Sequence, residues 1–205
     1  MAGPLDALAS GGAIVLGRPV SDIELRSFDK YLKLLQKWQK SQRLIGSSDA
    51  AWIVENLFLD SLLFLEVLPR TVVSIADVGS GAGLPGIPIK IVRPELQVAL
   101  IESRAKRASF LSAAVRELGL RDTEIVTARA EDFAAERPRA FDAVVMRCAG
   151  DFEELARVAG ALVAPGGMIV ASGPPTPKTL VLGEWVEVSG ASSGEVRRFA
   201  VHRVP

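Results

Sequence analysis

The sequence predicts an α/β protein with a central, mostly parallel sheet, helices on both faces, a C-terminal antiparallel strand pair and an N-terminal helical extension. Three observations predict it. From residue 70 onward β-branched runs alternate with helical stretches, the pattern left by right-handed βαβ crossovers. A loop of four glycines and two prolines, "DVGSGAGLPGIP" at 77–88, separates the first strand from its helix. After Pro174 the alternation stops, and "EWVEVS" and "RRFAVHRV" flank the turn-rich "GASSGE".

Residues 1–20 are glycine- and alanine-rich with no basic leader segment, and read as a flexible, poorly ordered arm. Residues 21–69 read as the helical extension. Ser21 and Glu24 form a capping box, after which Leu25, Phe28, Leu32 and Leu35 recur at helical spacing and define a core face. Arg26, Lys30, Lys33, Lys37 and Lys40 step by four and three along another side. That stripe is either an ordinary solvated face or a phosphate-tracking ridge. A second helical stretch begins at Ser48 and is stopped by Pro69.

Residues 70–205 form the main domain. "TVVSIADV" is a buried strand, followed by the glycine loop and a helix to about Arg93. "QVALIES" is a second strand, "RAKRASFLSAAVREL" a helix ended by Gly119, and "TEIVTARA" a third strand. "FDAVVMR" is a fourth strand, "DFEELARVAGALV" a helix and "GGMIVAS" a fifth strand.

With 205 residues, 49% of them hydrophobic, the chain can bury one full core. Its formal net charge is zero, so any nucleic-acid site has to be a local patch. One cysteine, Cys148, excludes an internal disulfide framework and fits a reducing compartment. Asp60 and Glu66 interrupt the longest apolar run, which is too short to span a membrane. The expectation is a cytoplasmic monomer with neither metal nor membrane.

Glycine loops after a first strand serve two cofactor classes. Gly81, Gly83 and Gly86 match the dinucleotide fingerprint G-x-G-x-x-G, with Glu102 near the acidic position after the second strand. Gly79, Gly81 and Gly83 equally match the loop of S-adenosylmethionine (SAM) methyltransferases. Asp77 decides for SAM: a carboxylate at the loop entrance repels a pyrophosphate but suits a ligand with a free ammonium group. Glu102 can accept both ribose hydroxyls, and the Ala130 backbone and Glu131 side chain are placed to read adenine. Glu102 can also be read as a solvated strand end, and Glu131 as an acid favoured by a helix N-terminus.

The acceptor leaves a fainter mark. The "RCAG" after the fourth strand lacks the D/N/S-P-P-aromatic signature of exocyclic-amine methylation, and "SGPPTP" follows the fifth strand, so it reads as a turn. Cys148 lacks a preceding proline and a second cysteine for a pyrimidine C5 mechanism, so it reads as a packing residue at the strand end. An acceptor with its own lone pair, such as guanine N7, needs no general base, and orientation beside the sulfonium supplies most of the acceleration.

"DVGSGAGLPGIPIKIVRPE" followed by "ESRAKRASFL" resembles the RsmG/GidB family, whose fold is the Rossmann-like class I SAM-dependent methyltransferase. The resemblance extends weakly through "LLQKWQK", "FLDSLLF" and "MRC". It implies methylation of a guanine N7 in 16S rRNA of the small ribosomal subunit, with SAM as cofactor. By position it implies cofactor contacts at Gly79, Leu84, Glu102, Ala130, Glu131 and Arg147. Arg147 is also the candidate catalytic residue, orienting the acceptor.

Departures from the family gather on the acceptor side. "RLIG" at 43–46 replaces "NLT"; Asn56 and Leu57 replace an arginine and a histidine; Met146 and Cys148 flank Arg147 in place of serine and alanine; Ser172 replaces a lysine. Three readings follow: a working 16S rRNA guanine-N7 methyltransferase, a SAM-dependent enzyme with another acceptor, or a non-catalytic SAM-binding, ribosome-associated module.

Overall fold

A computed structural model describes residues 3–147, 152–173, 179–191 and 195–205. Seven strands form one sheet: β1 (Ser74–Val78), β2 (Gln97–Ile101), β3 (Thr123–Val126), β4 (Phe141–Arg147), β5 (Val163–Ser172), β6 (Glu184–Ser189) and β7 (Val196–Arg203). Their order is β3-β2-β1-β4-β5-β7-β6, and β7 runs antiparallel to both β5 and β6 while the other pairs are parallel. The chain therefore reverses its winding between β1 and β4, the place where open α/β sheets bind ligands. The strand alternation and the closing antiparallel pair match the sequence expectation.

Alternate side chains of each strand feed two cores. Ile75, Leu100, Ala143, Val145, Val170 and Phe199 point to the side covered by the helical extension, α6 (Gly86–Val92) and α7 (Ala105–Leu118). Ala76, Ala99, Val144, Ile169 and Ala200 point to the side covered by α8 (Ala130–Glu136) and α9 (Phe152–Leu162). The stretch expected as one strand over 123–130 is shorter, because β3 stops at Val126 and α8 begins at Ala130.

In the extension, α2 (Asp22–Gln42) starts as the capping box predicts. Ser21 Oγ accepts from the Glu24 amide at 3.3 Å, and the Ser21 amide donates to Glu24 Oε2 at 2.7 Å. Arg18 closes on the same carboxylate at 2.6 Å; burial pushes the Glu24 carboxyl up, but the Arg18 pairing and the Ser21 hydrogen bonds together outweigh it and hold the carboxyl below its usual range. The second helical stretch is broken into α3 (Ala50–Ile53), a π-helical segment Val54–Leu59, α4 (Asp60–Leu62) and α5 (Phe64–Val67).

Residues 4–16 overturn the expectation of a poorly ordered arm by forming α1 (Pro4–Leu16). Proline at the first helical position and an Asp6 carboxylate accepting from the Gly3 amide at 2.7 Å start it. Leu8, Gly11, Gly12 and Val15 form its buried face. The two glycines read as flexibility in the sequence, yet they allow close packing: a Cβ on Gly11 would lie 2.7 Å from Leu59 Cδ1, and one on Gly12 2.7 Å from Val20 Cγ2. Cys148, residues 174–177 of the "SGPPTP" turn and residues 192–194 of "GASSGE" lie outside the described residues.

Candidate functional site

The glycine loop leaves β1 at its carboxyl end, with Gly79 and Gly81 at φ +72° and +57°, a region that glycine enters at little cost. A Cβ on Gly79 would meet nothing within 4 Å, so the backbone is open there. Gly83 serves packing instead: a Cβ would lie 2.4 Å from Ile87 Cδ1 and 3.2 Å from Leu111 Cδ2. Leu84 is buried in the core beneath the loop.

Glu102, buried at the end of β2, braces the loop. Its Oε2 accepts from the Gly81 amide at 3.1 Å and lies 3.8 Å from Arg107 Nη1, while Oε1 accepts from the Arg104 amide at 2.8 Å. Each carboxylate oxygen keeps a further lone pair. Val78, Gly79, Ile101, Glu102, Ala130 and Glu131 help line one cleft at this edge of the sheet, so the structure gathers the expected ribose and adenine residues.

Asp77 is fully buried. Its Oδ2 accepts from the Gly86 amide at 3.0 Å, and Oδ1 has no partner. Burial pushes this carboxyl up to about 7, against the opposing pull of the Gly86 amide, the Ser80 hydroxyl and the Arg147 charge. Gly86 is a site residue that stands out in the sequence only as part of the dinucleotide fingerprint. A Cβ there would sit 2.8 Å from Asp77 Oδ2 and 2.6 Å from Leu100 Cδ2, so only glycine brings its amide to the carboxylate.

Arg147 stands at the end of β4, outside the lining of that cleft. Its Nη2 donates to the Asn56 carbonyl at 3.1 Å and lies 3.1 Å from Asp60 Oδ2, while Nη1 is buried without a partner. Asp60 Oδ1 in turn accepts from Arg197 Nε on β7 at 2.8 Å. Asn56 lies within the π-helical segment, at whose end the Asp60 amide donates to Leu57 O. Neither Asp60 nor Arg197 stood out in the sequence, where nothing local marks residues so far apart as neighbours.

The extension also reaches the loop directly. The Tyr31 hydroxyl on α2 donates to the Ala82 carbonyl, and its ring stacks on Phe58 at 5.1 Å. Full burial pushes the phenol well above its usual range. Arg26, Lys30, Lys33, Lys37 and Lys40 are all exposed on the outer side of α2, away from the cleft lining. Lys33 pairs with Asp29 at 2.6 Å.

The residue set fits SAM on two observations: an unpaired buried acceptor at Asp77 Oδ1 for an ammonium, and an unpaired buried donor at Arg147 Nη1. Among the described residues no group of His, Cys, Asp and Glu is arranged to hold a metal, and no helix is long and apolar enough to cross a membrane.

Comparison with known proteins agrees with this geometry. The O-methyltransferase TomG from Streptomyces achromogenes, solved in complex with SAM, matches with a TM-score of 0.56 at 17% identity, over 87% of this chain and 90% of that one. A SAM dependent methyltransferase from Aquifex aeolicus matches with a TM-score of 0.54 at 14% identity, over 75% of this chain and 93% of that one. Such identities carry the fold alone, and it is the class I SAM methyltransferase fold. A protein named ribosomal RNA small subunit methyltransferase G from Xanthomonas oryzae pv. oryzae is 39% identical over 142 residues, 69% of this chain and 65% of its own length. One of the same name from Nitrosospira multiformis is 39% identical over 164 residues, 80% of this chain and 73% of its own. The profile of GidB, rRNA small subunit methyltransferase G, matches residues 24–175, from the first turn of α2 to just beyond β5, and the chain belongs to that family.

Proposed function

We propose that the chain is a SAM-dependent methyltransferase that modifies guanine N7 in 16S rRNA of the small ribosomal subunit, acting in the cytoplasm as a monomer. Family membership over residues 24–175 carries this reading. SAM supplies an electrophilic sulfonium methyl group. Glu102 holds the ribose hydroxyls, Ala130 and Glu131 read adenine, and Asp77 Oδ1 receives the ammonium. Gly79 and Gly81 present backbone, while Gly83 and Leu84 fix the shape of the loop. Arg147 uses its free Nη1 to orient the acceptor at the boundary with the cofactor. No general base is required, because guanine N7 attacks with its own lone pair and alignment supplies most of the acceleration.

The test is incubation with labelled SAM and small subunits lacking N7-methylguanine, with the product mapped by borohydride and aniline cleavage. A single cleavage stop in the decoding-region loop is the expected result. SAM binding by calorimetry without any incorporation would overturn the acceptor assignment.

A further inference from the structure

We propose that the RNA backbone docks on a surface made by the C-terminal half of α2 and the first turn of α7, and that the N-terminal part of the α2 stripe does not touch it. The inference rests on the methyltransferase reading. Charge along α2 is divided. Arg26 lies among Asp22, Glu24 and Asp29, and Asp29 already engages Lys33 at 2.6 Å. From Lys30 to Ser48 the chain has no acidic residue, and Lys37, Lys40 and Arg43 are exposed with no carboxylate partner among the described residues. A protein of zero net charge thus concentrates uncompensated cations on one end of one helix.

The start of α7 continues this surface. Arg104, Lys106 and Arg107 occupy the N-cap and first turn; Arg107 lies 3.8 Å from Glu102 Oε2, while Arg104 and Lys106 are exposed and their side chains have no carboxylate partner among the described residues. A helix N-terminus disfavours cations, so folding stability does not explain the placement. The dipole does favour Lys40 and Arg43 at the end of α2, which leaves the α7 cluster as the discriminating observation. Trp38 and Phe110 join the two helices edge to face at 5.6 Å. Lys37 adjoins Trp38 in the sequence, and Lys106 and Arg107 lie one turn before Phe110. Arg26, twelve positions before Trp38, is about 18 Å further along the helix.

The surface also ends at the right place. A Cβ on Gly81 would lie 3.6 Å from Arg107 Nη1, so the cationic track runs up to the glycine loop. An RNA strand held by phosphates along it would deliver a base to the cleft, whereas a small acceptor would have no use for cations this far out.

The experiment measures binding to small subunits against salt for Lys37→Ala/Lys40→Ala, for Lys106→Ala, and for Arg26→Ala/Lys30→Ala. All these side chains are exposed, and thermal melts check the fold. Removing one cation that neutralises a phosphate should flatten the slope of log K against log salt by about 0.7–0.9. The first pair should flatten it by about 1.4–1.8, Lys106→Ala by about half that, and the Arg26/Lys30 pair should leave it unchanged. Equal flattening by the Arg26/Lys30 pair, or none by the other two, would overturn the surface. Methylation by the parent protein at low salt reports the underlying reading separately: methylation with the wrong slope pattern overturns the surface alone, and neither methylation nor binding overturns both.

Discussion

The Asp60 carboxylate lies 3.1 Å from the Arg147 guanidinium, joining the helical extension to the end of β4. Asp60 is buried and Arg147 is partly open, so the pair is neither fully screened nor fully desolvated. With Arg197 on the other oxygen at 2.8 Å, one carboxylate fixes two cations from β4 and β7. Asp60 thereby acts as a positioning residue for Arg147.

Arg147→Ala should lower methyl transfer by about 100-fold, the scale of losing one oriented donor, while SAM affinity changes only a few-fold. Equal loss of both would place the guanidinium on SAM instead. Asp60→Asn should lower the same rate constant, with partial rescue by Asp60→Glu. In the Asp60→Asn/Arg147→Ala double variant the effects should be non-additive; additivity within about 0.5 kcal/mol would mean that Asp60 acts by another route.

Tyr31→Phe removes one hydrogen bond to the loop and keeps the stack on Phe58. Because the Ala82 carbonyl is left buried and unpaired by this change, a stability loss of about 1–2 kcal/mol is expected in denaturant titration. SAM affinity should fall alongside, since the loop is no longer tied to α2. Stability loss with unaltered SAM affinity would confine the bond to folding.

Asp77 makes the site sensitive to pH. Its folded value of about 7 lies above the ordinary 3.8, so the folded apo protein binds the proton more tightly than the unfolded chain. The sign follows: stability is highest below about 4 as far as this group is concerned, and falls as pH rises to about 7, by on the order of 4 kcal/mol in total. Asp77→Asn should remove that slope and raise the apo melting temperature at pH 8. An ammonium ligand needs the carboxylate, so SAM affinity should weaken by up to tenfold per unit as pH falls below 7, and Asp77→Asn should bind weakly at every pH. A flat affinity profile in the parent protein would remove Asp77 from the ammonium site.

The parts of this architecture that were legible in the sequence are those set by local patterning. Ser21 and Glu24 announced the start of α2, and the β-branched runs gave the strands of the parallel sheet. Gly79, Gly81 and Glu102 were marked by their positions at strand ends. What escaped depends on neighbours far along the chain. Gly11 and Gly12 signify close packing only once Leu59 and Val20 are set against them. Asp60 reads as an interruption of an apolar run until β4 and β7 bring two arginines to it. The α2 stripe was regular by spacing, but that α7 packs beside this helix shows only once Trp38 meets Phe110.

Gly86 and Gly160 separate a glycine needed for space from one that is not. Gly86→Ala would force a methyl against Asp77 Oδ2 and Leu100 Cδ2, at 2.8 and 2.6 Å, where the buried carboxylate and the strand behind it leave little room to yield. Overpacking of this kind costs about 1–3 kcal/mol, and displacing the Gly86 amide also leaves Asp77 Oδ2 unpaired, so SAM affinity should drop with stability. Gly160 lies inside α9, and a Cβ there would meet nothing within 4 Å. Gly160→Ala should stabilise by about 0.4–1 kcal/mol through lower unfolded-state entropy, leaving SAM binding unchanged. Chemical denaturation and calorimetry on the two variants check both outcomes, and a neutral Gly86→Ala would mean that the loop repacks without its bond to Asp77.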